Sequence, residues 1–328
     1  MLTSPYFGTA LGTLTVLCWA SYNVAAKQGI EDGLTPEALA FLRFAVPGLI
    51  ALPLACFLAL GQRKMPIRLG RLAVLVLLGG PIFGVIAVTG YEYAPLSHGL
   101  LFAPVAVFLS GGVLGHILLK DSLSKGRVFG ALVMFTGLAV LVGFQTSGLP
   151  DTWWVGAFFF VCAGMFWGAY TVLIKKWEVS LLSGTIAVAS GSAVMAAVVL
   201  GPVALGTLAS APLQSVVFQA IMQGLIGGVL SVVALIGAVR ALPTQVAALL
   251  PTFTPGVALF IALMANGVVP TPAEIAGCVL VLIGFLVSAT RHSPGNRRRQ
   301  NRPRRHLCGI LGILVPRRGL EPPRPYGH

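Results

Sequence analysis

The sequence contains very few charged residues. Only 9% of its 328 residues are Asp, Glu, Lys or Arg, and 56% are hydrophobic. Soluble globular domains carry about 25% charged residues. A compact domain with so apolar a surface would not stay in solution, and a disordered chain would need far more charge and polarity. The shortage of charge therefore excludes a soluble enzyme and a disordered protein, and it leaves a protein that crosses a membrane several times.

The motifs of several common activities are also missing from the sequence. There is no GxxxxGK[ST] loop to hold the phosphates of ATP and no HExxH helix to bind zinc, so neither an ATP-driven pump nor an intramembrane metalloprotease is predicted. The five cysteines have no CxxC spacing, and four of them lie in apolar segments as packing residues. We therefore predict no metal site and no cofactor.

Ten apolar segments are each long enough to cross a membrane. A bilayer has a hydrocarbon core about 30 Å thick, which a helix of roughly 20 apolar residues can span. The segments do not alternate with a period of two, which favours helices over strands. The sequence therefore predicts an all-α integral membrane protein with ten transmembrane helices, at residues 7–26, 37–60, 71–90, 98–119, 127–145, 154–174, 181–200, 218–240, 246–265 and 273–290.

Basic residues are concentrated in alternate loops of this pattern. The loops after the second, fourth and sixth segments carry lysine and arginine, and a basic tail follows the tenth segment. The opposite side carries Lys27, Glu31, Asp32 and Asp151 and, at 201–217, a loop with no charge. Because basic loops stay in the cytoplasm, we expect a multi-pass protein of the cell (inner) membrane with both termini cytoplasmic.

The sequence repeats itself weakly with a shift of 148 residues. This shift aligns Trp, Tyr, Val and Lys of residues 19–27 with the same residue types in 167–175. Further matches at a shift of 148 or 147 are glycines and prolines: Gly79 with Gly227, Pro95 with Pro243, Gly130 with Gly277, and Gly137 with Gly284. Each half then holds five helices, an odd number, so the second half enters the membrane from the opposite side. Inverted repeats are typical of secondary transporters. We predict one repeat over 1–148 and a second over 149–290.

Several segments resemble a known family in their order and spacing. They are WASYNVAAK at 19–27, FLRF at 41–44, LKDSLSKGRVFGALVMFTG at 119–137, WGAYTVLIKK at 167–176 and VPTPAEIAGCVLVLIG at 269–284. Through them, residues 1–290 are similar to the EamA family of the drug/metabolite transporter superfamily. The resemblance implies a secondary carrier, often an exporter of amino acids or other small metabolites, with a central cavity between the halves.

Two positions depart from the family pattern. Val268 stands where an acidic residue is usual before the tenth helix, whereas Asp121 keeps that acid in the first half. Tyr22-Asn23 also differs from the commoner Asn-Phe order.

Matching aromatic and polar residues occur in the first and sixth predicted helices. Trp19 and Tyr22 are three residues apart and share a helix face, with Asn23 beside them, and Trp167 and Tyr170 repeat that spacing. These side chains either stack on a substrate at the two mouths of a cavity or belong to the aromatic belt at the membrane surface. The repeat places one cluster at each mouth, which fits both interpretations, and we favour cavity residues.

Three ionisable residues and one amide are further candidates. Arg43 costs roughly 2.5–3.5 kcal/mol in a membrane on insertion scales. It binds a substrate carboxylate, pairs with Glu37 or Glu92, or extends to the lipid headgroups. Glu92 and His98 flank the loop after the third helix and are the candidates for a coupling proton, the alternative being an ordinary loop in water. Gln245 adds a hydrogen-bonding group to the cavity.

Prolines interrupt the fourth and ninth predicted helices at corresponding places. Pro104 in the fourth helix, and Pro251 and Pro255 in the ninth, each remove a backbone hydrogen bond. The freed carbonyl is tolerated at membrane depth only beside protein or a cavity. Matching breaks in two repeats are typical of a transport path, so we predict that these prolines take part in gating.

Residues 291–328 form a basic tail rich in proline. The tail holds ten of the 22 basic residues and one of the nine acidic ones. It has no helical period, and we expect it to be cytoplasmic, disordered and dispensable. Its charge attracts anionic lipid. Nucleic-acid binding is not predicted, because no aromatic residues are interleaved with the arginines.

Three classes of function fit these features. The first, which we favour, is a secondary active transporter and not an enzyme, moving small metabolites by alternating access with proton exchange as the expected coupling. Its expected partners are a small-molecule substrate, protons, the lipid bilayer and a second copy of the chain. The alternative is a membrane-embedded enzyme acting on a lipid-linked substrate, which needs clustered acids or histidines where the sequence has scattered ones. A sensor or scaffold would not require an inverted repeat.

Overall fold

The computed structural model describes residues 5–62, 67–121, 124–144, 150–242, 244–247 and 250–290. The predicted tail at 291–328 lies outside these described residues, and so does the side chain of Gln245. Within the described residues every regular element is helical and no strand is present, so the predicted all-α class is confirmed.

The described chain is a succession of helices joined by short connections. In order, they are α1 (Pro5–Glu31), α2 (Pro36–Gln62), α3 (Leu69–Gly79), α4 (Pro81–Tyr93), α5 (Leu96–Leu119), α6 (Lys125–Phe144), α7 (Trp153–Lys176), α8 (Leu181–Met195), a π-helix (Ala196–Leu200), α9 (Gly201–Ser210), α10 (Leu213–Gln219), a second π-helix (Ala220–Leu230), α11 (Ser231–Ala241), α12 (Thr244–Ala247), a 3-10 turn (Leu250–Phe253), α13 (Thr254–Asn266) and α14 (Pro272–Thr290).

Seven of the described helical segments are long and apolar enough to cross a membrane. They are Pro36–Phe57, Leu69–Tyr93, Leu96–Leu119, Lys125–Gly143, Trp153–Lys176, Leu181–Ser210 and Leu213–Ala241. The apolar helices Leu250–Asn266 and Pro272–Ser288 are shorter. α1 is long, but Ser21, Tyr22 and Asn23 make it less apolar than the seven. The count of ten spans and the inverted repeat stay predictions.

Helix ends follow local sequence signals. At the start of α2, Thr35 Oγ1 accepts a hydrogen bond from the backbone N–H of Ala38 at 3.3 Å. Before α14, Thr271 and Glu274 form a capping box: Glu274 Oε2 accepts from the Thr271 N–H at 2.7 Å, and Thr271 Oγ1 accepts from the Glu274 N–H at 3.2 Å. α13 ends at Asn266 and is capped by Gly267, whose φ of 67° suits glycine.

The uncharged loop predicted at 201–217 is wrong. α8 continues through the first π-helix into α9, which ends at Ser210, and α10 begins at Leu213. Gly201-Pro202 resembles a helix breaker, but the helix continues through it. Gly201 keeps right-handed helical backbone, and its N–H donates to the carbonyl oxygen of Ala196 in the π-helical turn just before Pro202. Apart from Thr207 and Ser210, the remaining residues of α9 are apolar or glycine and extend the helix.

α6 and α14 pack along glycines of both helices. A Cβ atom at Gly130 would lie 2.5 Å from the carbonyl oxygen of Gly284, and one at Gly137 would lie 2.9 Å from that of Gly277. Without side chains here, the two backbones approach closely and gain van der Waals contact, which is the main attraction between helices in lipid. A buried core adjoins this contact and consists of Leu101, Val105, Met134, Leu138, Leu141 and Val281.

Candidate functional site

A cleft of about 120 Å³ lies between helices of the first and second predicted halves. α2 and the α3–α4 segment line it from the first half, and α7, α8, the second π-helix and α11 line it from the second. We call it the Arg43 cleft. Its lining residues are Arg43, Phe44, Pro47, Gly79, Phe83, Trp167, Tyr170, Thr185, Val188, Ala189, Ser192, Gly227, Gly228 and Val232. An apolar pocket with a few placed polar groups is typical of small-molecule sites.

Arg43 supplies the positive charge of the Arg43 cleft. Its guanidinium carbon lies 4.0 Å from the centre of the Tyr22 ring, a cation–π contact between α2 and α1. Among the described residues it forms no ion pair, so neither Glu37 nor Glu92 neutralises it. A guanidinium is a planar donor that binds carboxylate or phosphate in two-point geometry. The cleft therefore offers a site for an anionic group.

Three aromatic rings form one wall of the cleft. The Trp167 ring stacks on the Tyr170 ring with 4.9 Å between centres, and it meets the Phe83 ring at 5.2 Å. Trp167 and Tyr170 are three residues apart on α7 and share a face, while Phe83 comes from α4. A flat apolar surface beside a cation suits a carboxylate that carries an apolar or aromatic body.

The helix backbone beside the cleft is broken at Gly80-Pro81. Pro81 has no N–H and disfavours helical backbone at the preceding residue, so α3 ends at Gly79 and α4 begins at Pro81. A Cβ at Gly80 would lie 2.8 Å from Ser192 Oγ, so α8 approaches the chain at the break. The segment predicted over 71–90 therefore corresponds to one candidate span, Leu69–Tyr93, whose helix is broken in the middle, a break that was not predicted. Broken helices at membrane depth often adjoin a binding site.

Ser192 is a buried polar residue in the lining of the cleft. It is 1% exposed, and its hydroxyl has no hydrogen-bond partner within the described part of the chain. Its neighbour Ser190, by contrast, donates to the carbonyl oxygen of Ile186 at 2.8 Å. A buried hydroxyl left without a partner costs roughly 1–3 kcal/mol. A ligand in the cleft that accepts or donates a hydrogen bond would remove this cost.

Hydrogen bonds hold the part of α1 that carries Tyr22 and Asn23. Tyr91 donates its hydroxyl to Asn23 Oδ1 at 3.0 Å, and Asn23 Nδ2 donates to the carbonyl oxygen of Trp19 at 2.8 Å. Gln223, in the second π-helix, donates from Nε2 to the carbonyl oxygen of Tyr22 at 3.0 Å. π-helical turns occur frequently at functional sites. The amide of Asn23 is thus satisfied within the protein, and the backbone of Tyr22 is fixed.

The predicted cavity residues are only partly brought together. Arg43, Trp167 and Tyr170 line the cleft, and Tyr22 joins them through its contact with Arg43. Trp19 and Asn23 do not line it. The side chain of Gln245 lies outside the described residues.

Glu92 and His98 lie in different surroundings. Glu92 is exposed in the last turn of α4, whereas His98 is fully buried in the first turn of α5. The His98 ring lies 5.7 Å from Phe102 and 5.6 Å from Trp153, and its nitrogens have no hydrogen-bond partner among the residues described. Because His98 is fully buried and belongs to α5, the alternative of an ordinary loop in water is wrong for this residue. Neither residue lines the Arg43 cleft.

The three predicted gating prolines differ in backbone setting. α5 runs from Leu96 to Leu119 through Pro104. Pro251 lies in the 3-10 turn, and Pro255 lies in the first turn of α13. The ninth predicted helix, 246–265, is therefore interrupted before Thr254, and none of the three prolines lines the cleft.

Several residues of the site are absent from the sequence-based prediction. Phe83, Thr185 and Ser192 have no distinguishing pattern, because serines, threonines and phenylalanines are common throughout apolar helices. Gln219 and Gln223 do carry a signal: two amides four residues apart interrupt an otherwise apolar segment, and both are 1% exposed. Gln219 Nε2 donates to the carbonyl oxygen of Ala25 at 2.7 Å.

One solved structure, described as the crystal structure of a protein, shares this fold. It is 19% identical in sequence with a TM-score of 0.57, and the match covers 86% of this chain and 96% of that one. At this identity the likeness shows the fold alone.

The chain is also similar to bacterial membrane proteins. The relatives are the uncharacterized inner membrane transporter YhbE of Escherichia coli (strain K12) and its counterparts in Escherichia coli O157:H7 and Shigella flexneri. Each is 27% identical over 183 residues, which are 51% of this chain and 54% of the relative. The chain thus spans about half the length of the curated relatives it matches.

The family model described as the EamA-like transporter family matches residues 6–143 and 154–290, which are most of the chain. The resemblance predicted from the sequence motifs is therefore confirmed. The chain belongs to the EamA-like transporter family.

Proposed function

We propose that the protein is a multi-pass membrane transporter that moves small carboxylate-bearing metabolites, such as amino acids or related compounds, through the Arg43 cleft. Arg43 binds the carboxylate by charge-assisted hydrogen bonds. Ser192 adds a hydrogen bond, and Trp167 and Tyr170 hold the apolar part of the substrate against their rings. One observation carries the proposal: in a cleft between helices of both predicted halves, Arg43 has no carboxylate partner within the described chain.

Contacts of two tyrosines support the inverted repeat on which alternating access depends. A Cβ at Gly227 would lie 3.1 Å from the Tyr22 ring, and a Cβ at Gly79 would lie 2.7 Å from the Tyr170 ring. The shift of 148 residues pairs Tyr22 with Tyr170 and Gly79 with Gly227, so the two contacts correspond to each other in the repeat. Each tyrosine therefore packs against a glycine of the opposite half, as expected of two halves related by internal two-fold symmetry.

The glycines between α6 and α14 support the same relation. Gly130 packs on Gly284, and Gly137 packs on Gly277. A shift of 147 residues converts Gly130 into Gly277 and Gly137 into Gly284, so each contact becomes the other. When two halves share one fold in opposite orientations, exchanging their conformations opens the path to the other side.

The remaining features of the transport cycle follow from the sequence. In our proposal the protein lies in the inner membrane with both termini cytoplasmic, exports its substrate, and moves protons through Glu92 or His98. Pro104, Pro251 and Pro255 take part in gating. Trp19, Asn23 and Gln245 contact substrate in the other conformation, and a homodimer is the expected assembly.

A substrate screen in proteoliposomes tests the proposed function. Purified protein is reconstituted, and uptake of labelled amino acids, keto acids and their uncharged amides is measured with and without an imposed pH gradient. We expect uptake of at least one carboxylate-bearing compound, accelerated by the gradient. Uptake that ignores the gradient would remove proton coupling and leave transport standing. Uptake of no carboxylate-bearing compound would contradict the proposal.

A further inference from the structure

A second pocket, of about 150 Å³, lies at the end of α1 and is separate from the Arg43 cleft. Residues from the end of α1, the start of α5 and the connection between α13 and α14 line it. Three charged residues are among them: Lys27, Glu31 and Glu274. We call it the Lys27 pocket.

The counterpart of Lys27 in the second half has a carboxylate partner. A shift of 148 pairs Lys27 with Lys175, and Lys175 Nζ lies 3.1 Å from Asp121 Oδ2, an ion pair that joins the two predicted halves. A shift of 147 pairs Asp121 with Val268, which lines the Lys27 pocket. Where the repeat would place an acid opposite Lys27, the sequence therefore has an exposed apolar residue.

Without that acid, Lys27 makes contacts within its own half. Its Nζ lies 3.5 Å from Glu31 Oε1 on the same helix and donates to the carbonyl oxygen of Tyr91 at 2.9 Å. An ammonium group has three donors, so these two contacts leave one for a further acceptor. The place opposite Lys27 is open to a carboxylate from a ligand.

Ser97 supplies a second polar group to this pocket. It is 2% exposed, lines the pocket, and its hydroxyl has no hydrogen-bond partner among the described residues. A hydroxyl can donate to a carboxylate oxygen, and a buried hydroxyl gains most from such a bond because it otherwise has none. Ser97 and Lys27 are thus two donors in one pocket.

The charge of the pocket excludes a simple anion. Glu31 and Glu274 outnumber Lys27. Glu274 Oε2 accepts hydrogen bonds from both the backbone N–H of Thr271 at 2.7 Å and its hydroxyl at 3.1 Å. A ligand that carries an ammonium group beside its carboxylate balances these charges. Apart from Asn266, the rest of the lining is apolar, including Val24, Leu96, Leu259 and Ala262, and suits an aliphatic side chain.

We infer that the Lys27 pocket binds the zwitterionic head of a small aliphatic amino acid. The carboxylate bonds to Lys27 and Ser97, the ammonium group bonds to Glu31 and Glu274, and the side chain lies on the apolar lining. The ligand carboxylate takes the place that Asp121 occupies beside Lys175. The site stands whether or not the Arg43 cleft transports the same compound.

Calorimetric titration of the full chain in nanodiscs tests this inference. The nanodiscs contain phosphatidylcholine and phosphatidylglycerol, since the headgroup of phosphatidylethanolamine carries a free ammonium group that could occupy the site. The protein carries Arg43→Gln, so that binding in the Arg43 cleft does not contribute. L-Leucine is compared with 4-methylpentanoate, which lacks the ammonium group, and with L-leucinamide, which lacks the carboxylate. We expect L-leucine to bind at least about tenfold more tightly than either analogue.

Two substitutions of the exposed Val268 form the matched pair. Val268→Asp supplies the missing carboxylate from the protein and should bind L-leucine at least about tenfold more weakly than Val268→Asn, in which the new side chain has the shape of aspartate but no charge. Equal binding by the two variants, no L-leucine binding, or binding of either analogue as tight as that of L-leucine would overturn the inference. If the Arg43→Gln protein does not fold, the comparison of Val268→Asp with Val268→Asn on the otherwise unchanged chain decides it. If the protein with Arg43 intact transports no carboxylate-bearing compound while this binding persists, the proposed function alone is refuted.

Discussion

At the scale of single residues, the Arg43 cleft combines a cation, an aromatic wall and a buried hydroxyl. Arg43 and the tryptophan and tyrosine of α7 could be predicted from the sequence, because an arginine in an apolar segment and a repeated W-x-x-Y spacing are unusual. Ser192 could not be predicted, because a serine in an apolar helix usually bonds to its own backbone, as Ser190 does. Only the packing of α8 against Gly80 shows that Ser192 is buried without a partner.

Removing the Ser192 hydroxyl should weaken substrate binding without destabilising the protein. Ser192→Ala removes a hydrogen bond worth about 1 kcal/mol, or roughly fivefold in affinity, that only the ligand completes. The apparent affinity is read from the concentration dependence of uptake, and the melting temperature is read by scanning fluorimetry.

The matched control is Ser190→Ala in the same helix. Ser190 is also buried but bonds to Ile186, so this variant should transport like the unchanged protein. If Ser192→Ala leaves the affinity unchanged, Ser192 is not a ligand contact.

Trp167 should contribute to substrate affinity through its ring. A stacked aromatic contact is worth about 0.5–1.5 kcal/mol, so Trp167→Ala should lower the apparent affinity by up to roughly tenfold. Uptake kinetics and the amount of protein inserted into the membrane are measured together.

Trp154→Ala is the control, because Trp154 lies on the same helix and is 62% exposed. It should leave transport unchanged. If Trp167→Ala and Trp154→Ala lower the apparent affinity equally, both residues belong to the aromatic belt at the membrane surface and Trp167 does not contact substrate.

At the scale of helices, the sequence predicted where most segments lie but not how they are interrupted. Apolar length identifies a helix because a buried backbone must satisfy its own hydrogen bonds. The break at Gly80-Pro81 and the continuity across Gly201-Pro202 have nearly the same sequence signal, a Gly-Pro pair. They differ in the backbone of the glycine: Gly80 has φ −103° and ψ −148°, outside the helical region, whereas Gly201 has φ −50° and ψ −48° and stays helical after the π-helical stretch.

Close packing of α6 and α14 predicts that a methyl group at Gly130 is destabilising. Gly130→Ala places a Cβ against the carbonyl oxygen of Gly284, and forcing the helices apart should cost about 1–3 kcal/mol. The melting temperature in detergent should fall.

Gly143→Ala provides the comparison on the same helix. Nothing lies within 4 Å of a Cβ at Gly143, so this variant should be neutral or slightly stabilising. A Gly130→Ala protein as stable as the Gly143→Ala protein would show that α6 and α14 do not pack as described.

At the scale of the whole molecule, glycine and tyrosine contacts between the two predicted halves link the weak sequence repeat to alternating access. Each of these contacts has its counterpart in the repeat. The shift of 148 residues could be read from the sequence, but not which side chains meet across the halves. Two such contacts adjoin the Arg43 cleft: one joins Tyr22 to Gly227, and the other joins Tyr170 to Gly79. The central claim is that a substrate carboxylate binds Arg43 between the halves.

The most direct test is a counterflow assay with the carboxylate-bearing substrate identified in the screen. The assay compares proteoliposomes that contain the unchanged protein with proteoliposomes that contain Arg43→Gln, Arg43→Lys or Arg240→Gln. Losing a hydrogen bond to a charged group costs about 1.5–3 kcal/mol, so Arg43→Gln should weaken apparent affinity at least roughly tenfold, with Arg43→Lys intermediate. Arg240 is exposed and outside the cleft, so its variant should match the unchanged protein. Counterflow by inserted Arg43→Gln protein at the unchanged rate and affinity would contradict the account.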